Sequence, residues 1–301
     1  MYDVVVIGGG PAGMTAALYS LRAGRKTLIF EEKMFGGQMA ETSVIENMPG
    51  SPDAEGWELA VRFSQQVEAM TPETCYEKVT KLNPQEGFIE ICTENSCYQA
   101  KKIILAMGVK RRKLNVPGED KFSGRGVGWC AVCDGAFFRG QTVAVIGGGN
   151  TALEDALYLS GICEKVYLLV RKAGFRGQEV LQDRVRQQEN IEILFETNVI
   201  EIQGESKVST IVVNEKGTEK SLPVSGVFVA IGLSPEKDLY EAVVETDASG
   251  YIVAGEDCRT SVPGIFAAGD VRTKEIRQIV TALADGAVAA EMAGRELQLN
   301  K

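Results

Sequence analysis

The sequence predicts an α/β protein with two Rossmann-like doubly wound domains, one inserted into the other. The chain repeats an apolar strand, a glycine-rich turn and an alanine-rich helix, as VVVIGGGPAGMTAALYSLRAG from residue 4 and VAVIGGGNTALEDALYLSGI from residue 143. A further apolar strand follows each helix, KTLIF at 26–30 and KVYLLV at 165–170. Strand–helix–strand units of this length form parallel sheets.

Proline and glycine mark the expected domain boundaries. Each half ends in an apolar strand that runs into a glycine, KKIILAMGVK at 101–110 and GVFVAIGLSPE at 226–236. The segments LNVPGED (114–120) and GLSPEKD (232–238) are predicted linkers. We therefore expect 1–113 and 237–301 to form the first domain, closed by a helix from about Glu275, and 114–236 to form the second. Turn residues in ICTENSCYQAKKIIL predict a small β-hairpin in the first domain.

Charge and composition exclude several classes of partner. The 301-residue chain has a net charge of −9, whereas nucleic acid or an anionic membrane would select a basic face. No apolar run approaches the roughly 18 residues of a membrane helix, and we expect no signal peptide because the first strand starts at residue 2. Seven scattered cysteines fit a reducing compartment. The expectation is a cytoplasmic protein without nucleic-acid or membrane partners.

The first glycine turn is a candidate dinucleotide site. It follows a strand and opens a helix, so its glycines permit a tight turn and the close approach of a pyrophosphate to the helix N-terminus. The candidate residues of this turn are Gly8, Gly10, Pro11, Ala12 and Gly13. Just past the second strand, Glu31 or Glu32 is expected to accept a hydrogen bond from a ribose hydroxyl.

The second glycine turn has a different ribose position. Its candidate residues are Gly147, Gly149, Asn150 and Thr151, with alanine as the third small residue. Where the first half has an acid, the second has Arg171, Lys172 and Arg176. A cationic cluster suits a 2′-phosphate, which favours NADPH; the alternative is a solvated basic edge.

The segment GVGWCAVCDGAFF (126–138) contains a CxxC pair, Cys130 and Cys133, followed by Asp134. Zinc is disfavoured because the chain has no histidine, and a static disulfide is unusual in the cytoplasm. A redox-active pair is favoured, since this motif lowers the pKa of one thiol. Thiol–disulfide exchange also needs an acid, and Asp134 is the nearest candidate, although it could equally cap a turn. Because a flavin can accept the electron pair of one hydride from a nicotinamide and pass it to a disulfide, the first domain is expected to hold FAD at its glycine turn and the inserted second domain the nicotinamide.

With these motifs in place, the whole chain resembles the low-molecular-weight, bacterial-type thioredoxin reductases. The resemblance is carried by GGGPAG, GGQMAETSVIENMPG (36–50), WCAVCDG (129–135), GGGNTALEDA (147–156), GIFAAGD (264–270) and RQIVTALADGAVAA (277–290). It implies a homodimer that reduces thioredoxin or a thioredoxin-like protein, with the inserted domain rotating about its linkers. It also implies that Cys133 is the sulfur nearest the flavin, that Cys130 is its disulfide partner and that Asp134 is the acid–base group.

The resemblance implies further FAD contacts. The residues that it adds to the cofactor site are Gly37, Gln38, Asn47, Gly269, Asp270, Arg277 and Gln278. Asp270 is expected near the ribityl and pyrophosphate groups, and the last two residues beside the flavin.

One motif departs from the family. Its usual phosphate-reading HRRxxxR is here Val170-Arg171-Lys172-x-x-x-Arg176, which lacks the histidine and one planar arginine. The alternatives are therefore the same dithiol chemistry fed by NADH or reduced ferredoxin, or a FAD-dependent dithiol oxidase. The remaining cysteines are expected to be reduced thiols, including Cys92 and Cys97 on either side of the hairpin turn.

Overall fold

The computed structural model describes residues 1–42, 45, 47–51 and 54–299. The chain separates into two compact units, one formed by Met1–Lys110 with Ser234–Lys301 and the other by Arg111–Leu233. The boundaries expected from the sequence, 113/114 and 236/237, lie a few residues further along the chain. The assignment of one nucleotide to each unit stays a prediction.

The strands alternate with helices in the first part of each unit. In chain order the strands are β1 (Tyr2–Ile7), β2 (Thr27–Phe30), β3 (Glu73–Cys75), β4 (Lys81–Gln85), β5 (Phe88–Cys92), β6 (Cys97–Leu105), β7 (Lys110–Arg111), β8 (Val127–Gly128), β9 (Thr142–Ile146), β10 (Lys165–Val170), β11 (Ile191–Phe195), β12 (Thr197–Gly204), β13 (Val208–Glu215), β14 (Thr218–Pro223), β15 (Gly226–Val229), β16 (Leu233–Ser234) and β17 (Ile265–Ala267). The predicted strands at 26–30, 165–170 and 226–236 correspond to β2, β10 and β15.

One helix begins directly after each glycine turn. In chain order the described helices are α1 (Pro11–Arg22), α2 (Gly56–Glu68), α3 (Ala131–Asp134), α4 (Asn150–Ser160), α5 (Glu179–Arg186) and α6 (Ile279–Leu299), of which α1 and α4 follow the glycine turns. Short 3-10 helices cover Gly37–Glu41, Gly135–Phe138, Lys237–Leu239 and Gly269–Val271. None of the helices in the described ranges is long and apolar enough to cross a membrane.

The first unit is built on a mixed sheet. Its described strands run in the order β3-β2-β1-β6-β5-β4, and β17 pairs with β6 beyond the end of β5. The pairs of β1 with β2 and β6 are parallel, whereas β4, β5 and β6 form an antiparallel meander. Alternate residues of β1 lie in two different hydrophobic clusters, so both faces of the sheet are covered. The predicted hairpin is confirmed as β5–β6.

The start of α6 differs from the prediction. The helix begins at Ile279 rather than near Glu275. The Arg277 side chain donates to the carbonyls of Asp270 and Arg272, and the Gln278 N–H donates to Thr281 Oγ1. The two Arg277 hydrogen bonds tie the segment before the helix to the turn at 269–272, and the Gln278 bond to Thr281 is made with the first turn of α6. The segment before Ile279 therefore does not continue the helix.

The second unit contains a parallel sheet in the order β11-β10-β9-β15-β8 and an antiparallel sheet in the order β12-β13-β14. Parallel pairing of β9 with β10 and β15 confirms the predicted doubly wound arrangement. The antiparallel sheet was not predicted. Its β13–β14 hairpin turns through Lys216 and Gly217, which both have positive φ, 51° and 89°. Such a two-residue loop matches the right-handed twist of its strands.

The cysteines outside the CxxC motif differ from the expectation at one place. Cys75, Cys163 and Cys258 are free thiols, as expected. The prediction that Cys92 and Cys97 are reduced is wrong, because they form a disulfide. The register of β5 and β6 places these two residues directly opposite each other, with their Cα atoms 4.1 Å apart.

Candidate active site

The first glycine turn brings the start of α1 against the end of β1. An ideal Cβ at Gly13 would lie 1.8 Å from the Gly8 carbonyl oxygen, and one at Gly8 would lie 2.5 Å from the Ala106 oxygen. Gly8 also has a φ of +108°, which side chains rarely allow. Gly10 is the N-cap of α1 and no side chain caps it. The first N–H groups of the helix are therefore available to an anion.

The two acids considered for the ribose position differ in their surroundings. Glu31 Oε2 accepts a hydrogen bond from the Gly9 N–H at 2.7 Å, and its Oε1 accepts one from the Lys33 N–H at 2.9 Å. Glu32 is exposed. The fold thus brings Glu31 to the first glycine turn, so Glu31 is the stronger of the two candidates.

The segment after β2 returns to the same turn. Gly37 has a φ of +54°, and an ideal Cβ there would lie 3.3 Å from the Cα of Gly10. Gln38 Nε2 donates to the Val109 carbonyl at 2.6 Å. Asn47 Nδ2 donates to Gln278 Oε1 at 3.0 Å, which joins two of the residues implied by the resemblance. The fold therefore brings Gly37 next to the first glycine turn and, separately, joins Asn47 to Gln278 across a long stretch of sequence.

Asp270 carries the most informative side chain of this unit. Its 3-10 turn lies beside α1, because an ideal Cβ at Gly269 would be 2.8 Å from the Cβ of Ala12. Asp270 Oδ1 is buried and accepts no hydrogen bond among the described residues. Burial raises the pKa of this carboxyl, against the charges of Lys274 and Arg277. A buried polar atom without a partner is rare in folded proteins, and it fits a site completed by a ligand hydroxyl.

Asp285 on α6 holds the 269–272 turn in place. Its carboxylate accepts hydrogen bonds from the Gly269 N–H at 2.9 Å, from Arg272 Nε and Nη2 at 2.9 and 2.8 Å, and from Lys274 Nζ at 2.7 Å. Burial alone would raise the pKa of Asp285, but these hydrogen bonds outweigh it and the pKa is lowered. The sequence could not reveal this role, since only the fold brings the donors together.

The second glycine turn repeats the geometry of the first. An ideal Cβ at Gly147 would lie 2.3 Å from the Ala230 carbonyl oxygen and 2.9 Å from the Cβ of Ala152. Gly149 is the N-cap of α4, again without a side-chain cap. Asn150 Oδ1 accepts a hydrogen bond from the Gln178 N–H at 2.8 Å. Thr151, also at the start of α4, is exposed.

The cationic loop after β10 lies against this turn. The N–H groups of Arg176 and Gly177 both donate to the Gly148 carbonyl, at 2.7 and 3.1 Å. The side chains of Arg171, Lys172 and Arg176 are exposed, and within the described part of the chain none of them forms a salt bridge. The geometry therefore allows these cations to approach a phosphate bound near the turn.

The CxxC pair lies at the start of α3 in the second unit. Cys130 and Cys133 form a disulfide, and Cys130 is the N-cap of the short helix. The Cys133 N–H donates to Cys130 Sγ at 3.2 Å. This contact would favour a thiolate on Cys130 once the disulfide is reduced.

Asp134 follows the pair and is half-buried. Its Oδ2 lies against the backbone of Gly128, where an ideal Cβ would be only 2.9 Å away. Burial raises the pKa of Asp134, and the Arg111 charge opposes that rise. Arg111 also lies over the Trp129 ring, 5.2 Å from its centroid. A carboxyl with a raised pKa, on the residue that follows Cys133, is a candidate to hold a proton for a leaving thiolate.

A second buried acid, Asp155 on α4, escaped the sequence analysis. Its carboxylate accepts a hydrogen bond from the N–H of Ala131, the residue after Cys130, while its Oδ2 is buried without a partner among the described atoms. Burial, followed by the Glu154 charge, raises its pKa to about 7. The signal in the sequence was an acid at a position on α4 that otherwise packs apolar side chains, between Leu153 and Ala156.

Two glycine turns with uncapped helices and a disulfide at the start of a third helix define a class: nucleotide-dependent disulfide oxidoreductases. The sequence profile of the pyridine nucleotide-disulphide oxidoreductases matches residues 2–286. The chain is therefore a member of this family.

Named relatives cover nearly the whole chain. A thioredoxin reductase of Listeria innocua is 41% identical over 301 residues, 99% of this chain and 94% of the relative. A thioredoxin reductase of Treponema pallidum is 40% identical over 295 residues, 97% and 96% of the two chains. The crystal structure of thioredoxin reductase from Streptococcus pyogenes superposes with a TM-score of 0.93 at 41% identity, covering 99% of each chain. The resemblance noted in the sequence is confirmed.

Replacing Asp285 tests its role in the first unit. We expect Asp285→Ala to lower the free energy of unfolding by about 3–5 kcal/mol, because it leaves Arg272 and Lys274 buried without an anion. Since the folded pKa is lowered, this stabilisation is present above about pH 4 and is lost as the pH falls further. Urea unfolding measures it, with the exposed Glu68→Ala as the control. A loss below about 1 kcal/mol for Asp285→Ala would contradict the assignment.

Replacing Asp155 gives a pH signature. The folded pKa lies above the unfolded value of about 3.9, so the folded state retains a proton that the unfolded state has lost. Wild-type stability should therefore fall relative to Asp155→Asn as the pH rises from about 4 to about 8. Asparagine keeps an acceptor for the Ala131 N–H. Urea unfolding at about pH 5 and pH 8 measures the change, with the exposed Glu164→Gln as the control; parallel curves for wild type and Asp155→Asn would refute a buried, titrating Asp155.

Proposed function

We propose that the protein is an NADPH-dependent, FAD-containing thioredoxin reductase. Two electrons would pass from NADPH through FAD to the Cys130–Cys133 disulfide, and from the resulting dithiol to thioredoxin or a thioredoxin-like protein. The observation that carries the proposal is the disulfide at the start of α3, in a chain that aligns over almost its full length with thioredoxin reductases.

The residues around the first glycine turn fit FAD. The free N–H groups of α1 suit its pyrophosphate, and Glu31 suits the adenosine ribose. The unpartnered Oδ1 of Asp270 suits a ribityl hydroxyl. When bound, FAD would accept the two electrons of one hydride and make them available to a disulfide. We propose the remaining contacts from the resemblance, with Gln38, Asn47, Arg277 and Gln278 among them.

The residues around the second turn fit NADPH. The uncapped N-terminus of α4 suits a pyrophosphate, and the exposed Arg171, Lys172 and Arg176 suit the 2′-phosphate. Retention of this turn supports a nicotinamide donor. Reduced ferredoxin as donor and a dithiol oxidase reaction are not favoured by the relatives, and NADH would leave the three cations without a phosphate.

Thiol–disulfide exchange in the second unit would use the two cysteines of the CxxC pair and the neighbouring Asp134, each in a different role. By the resemblance, Cys133 receives the electron pair and Cys130 attacks the disulfide of the protein substrate. The Cys133 N–H stabilises the Cys130 thiolate. Asp134, whose burial favours its protonated form, gives a proton to the leaving sulfur and recovers it when the pair is oxidised again. This assignment explains how the chemistry proceeds in a chain without histidine.

The cellular setting follows from the family resemblance and the composition. We propose a cytoplasmic homodimer, with no nucleic-acid or membrane partner. The net charge of −9 supports the absence of a nucleic-acid partner.

The choice of donor tests the function. Anaerobic mixing should bleach the flavin band rapidly with NADPH, and slowly with NADH or reduced ferredoxin. Replacing Arg176 with alanine should weaken NADPH binding by roughly tenfold to a hundredfold, the worth of one charge-assisted hydrogen bond, without affecting NADH.

The exposed Lys207→Ala, in the loop between β12 and β13, is the matched control and should leave both donors unchanged. Rapid bleaching by reduced ferredoxin alone would contradict the proposed donor. An equal loss with NADPH and NADH in Arg176→Ala would contradict the reading of the 2′-phosphate.

A further inference from the structure

The first unit carries a disulfide that the proposed reaction does not use. Cys92 ends β5 and Cys97 begins β6, so the bond crosses the hairpin next to its turn. Cys97 is exposed and Cys92 is half-buried. A sulfur of this disulfide is therefore open to attack from solvent.

The hairpin does not depend on this bond. The Thr93 N–H donates to the Ser96 carbonyl at 2.9 Å, and Thr93 Oγ1 accepts from the N–H groups of Asn95 and Ser96. These hydrogen bonds already close the turn, and β5 is paired along its length with β4 and β6. A disulfide between residues only five positions apart closes a short loop, and its stabilising effect grows with loop length. A purely structural role would therefore bring less stabilisation than a disulfide that closes a long loop.

Charged neighbours suit the bond for exchange. Lys81 on β4 is directly opposite Cys92, and directly opposed residues of antiparallel strands project from the same face. If an incoming thiolate attacks the exposed Cys97, the Cys92 sulfur leaves on the strand face that Lys81 shares, where an ammonium within reach would stabilise the thiolate. The Glu90 carboxylate lies within 4.8 Å of both sulfurs. This carboxylate disfavours a thiolate at either sulfur, so it opposes the leaving step that Lys81 assists and favours protonation of both sulfurs once the bond is reduced.

We propose that Cys92–Cys97 is a second thiol–disulfide exchange site, which accepts two electrons from a reduced dithiol protein of the thioredoxin type. One thiolate of that protein attacks Cys97 Sγ, breaks the bond to Cys92 and forms a mixed disulfide. Its second thiol then attacks the mixed disulfide and releases Cys97. The partner is oxidised to its disulfide, Cys92 and Cys97 become two thiols, and two protons move from the partner to them. The choice of partner rests on the proposed function, whose product is this dithiol.

The test uses the full chain with Cys130→Ser and Cys133→Ser, so that only the second disulfide can exchange. The protein is mixed anaerobically with chemically pre-reduced thioredoxin, quenched with acid and alkylated, and peptide masses give the redox state of each cysteine. We expect alkylation of Cys92 and Cys97 together with one thioredoxin disulfide per pair. Adding Cys92→Ser and Cys97→Ser should leave the thioredoxin reduced. Lys81→Gln should slow exchange by about threefold to tenfold.

Two results would overturn the proposal. One is a Cys92–Cys97 disulfide that persists in excess reduced thioredoxin; the other is reduction by a small monothiol such as glutathione but not by the dithiol protein. Because the thioredoxin is reduced beforehand and the CxxC pair is absent, this result does not depend on NADPH turnover. Turnover of the otherwise wild-type Cys92→Ser/Cys97→Ser protein, measured separately, should stay within about twofold of the parent.

Discussion

The close approach of a helix to a strand end at each glycine turn is the constraint on which the rest of the structure depends. At Gly13 a single extra carbon would lie 1.8 Å from the Gly8 carbonyl, and at Gly147 it would lie 2.3 Å from the Ala230 carbonyl. Because these glycines have no side chain, the start of the helix and the end of the strand approach each other more closely than any other residue would allow. Both helices also begin without a side-chain cap. Each unit thereby leaves helix N–H groups available to an anion at its glycine turn.

Burial and local donors set the protonation of the acids in this chain. The chain has no histidine, and burial raises the pKa of Asp134, Asp155 and Asp270. Asp285 is the contrasting case, because buried cations and an N–H surround it and lower its pKa. Buried aspartates of this chain are therefore shifted in opposite directions: burial dominates at Asp134, Asp155 and Asp270, whereas several donors outweigh burial at Asp285.

Local signals in the sequence were sufficient for the framework. The apolar runs of β1 and β10 and the glycine turns after β1 and β9 are contiguous patterns, so their structures follow from short segments. The CxxC pair is equally local. The choice between Glu31 and Glu32 was left open, because both follow the same strand end and the sequence does not tell which side chain points to the glycine turn. The fold decides this, since Glu31 accepts a hydrogen bond from the Gly9 N–H.

Features that depend on distant residues could not be predicted. The donors to Asp285 come from the 269–274 turn and become visible only when α6 packs beside it. The Asp155 hydrogen bond joins α4 to α3 across more than twenty residues of sequence. The Cys92–Cys97 bond depends on hairpin register: a shift by one residue would place these side chains on opposite faces. In each case the residue type was evident but its neighbours were not.

The proposed function requires electrons to leave the protein through Cys130 and Cys133. The decisive measurement is a single anaerobic turnover, in which the FAD-loaded protein, with Cys92→Ser and Cys97→Ser, is mixed with one equivalent of NADPH, quenched and alkylated. We expect two new thiols, located at Cys130 and Cys133, formed as NADPH is consumed. Consumption of NADPH with a reduced flavin and an intact Cys130–Cys133 disulfide would contradict it.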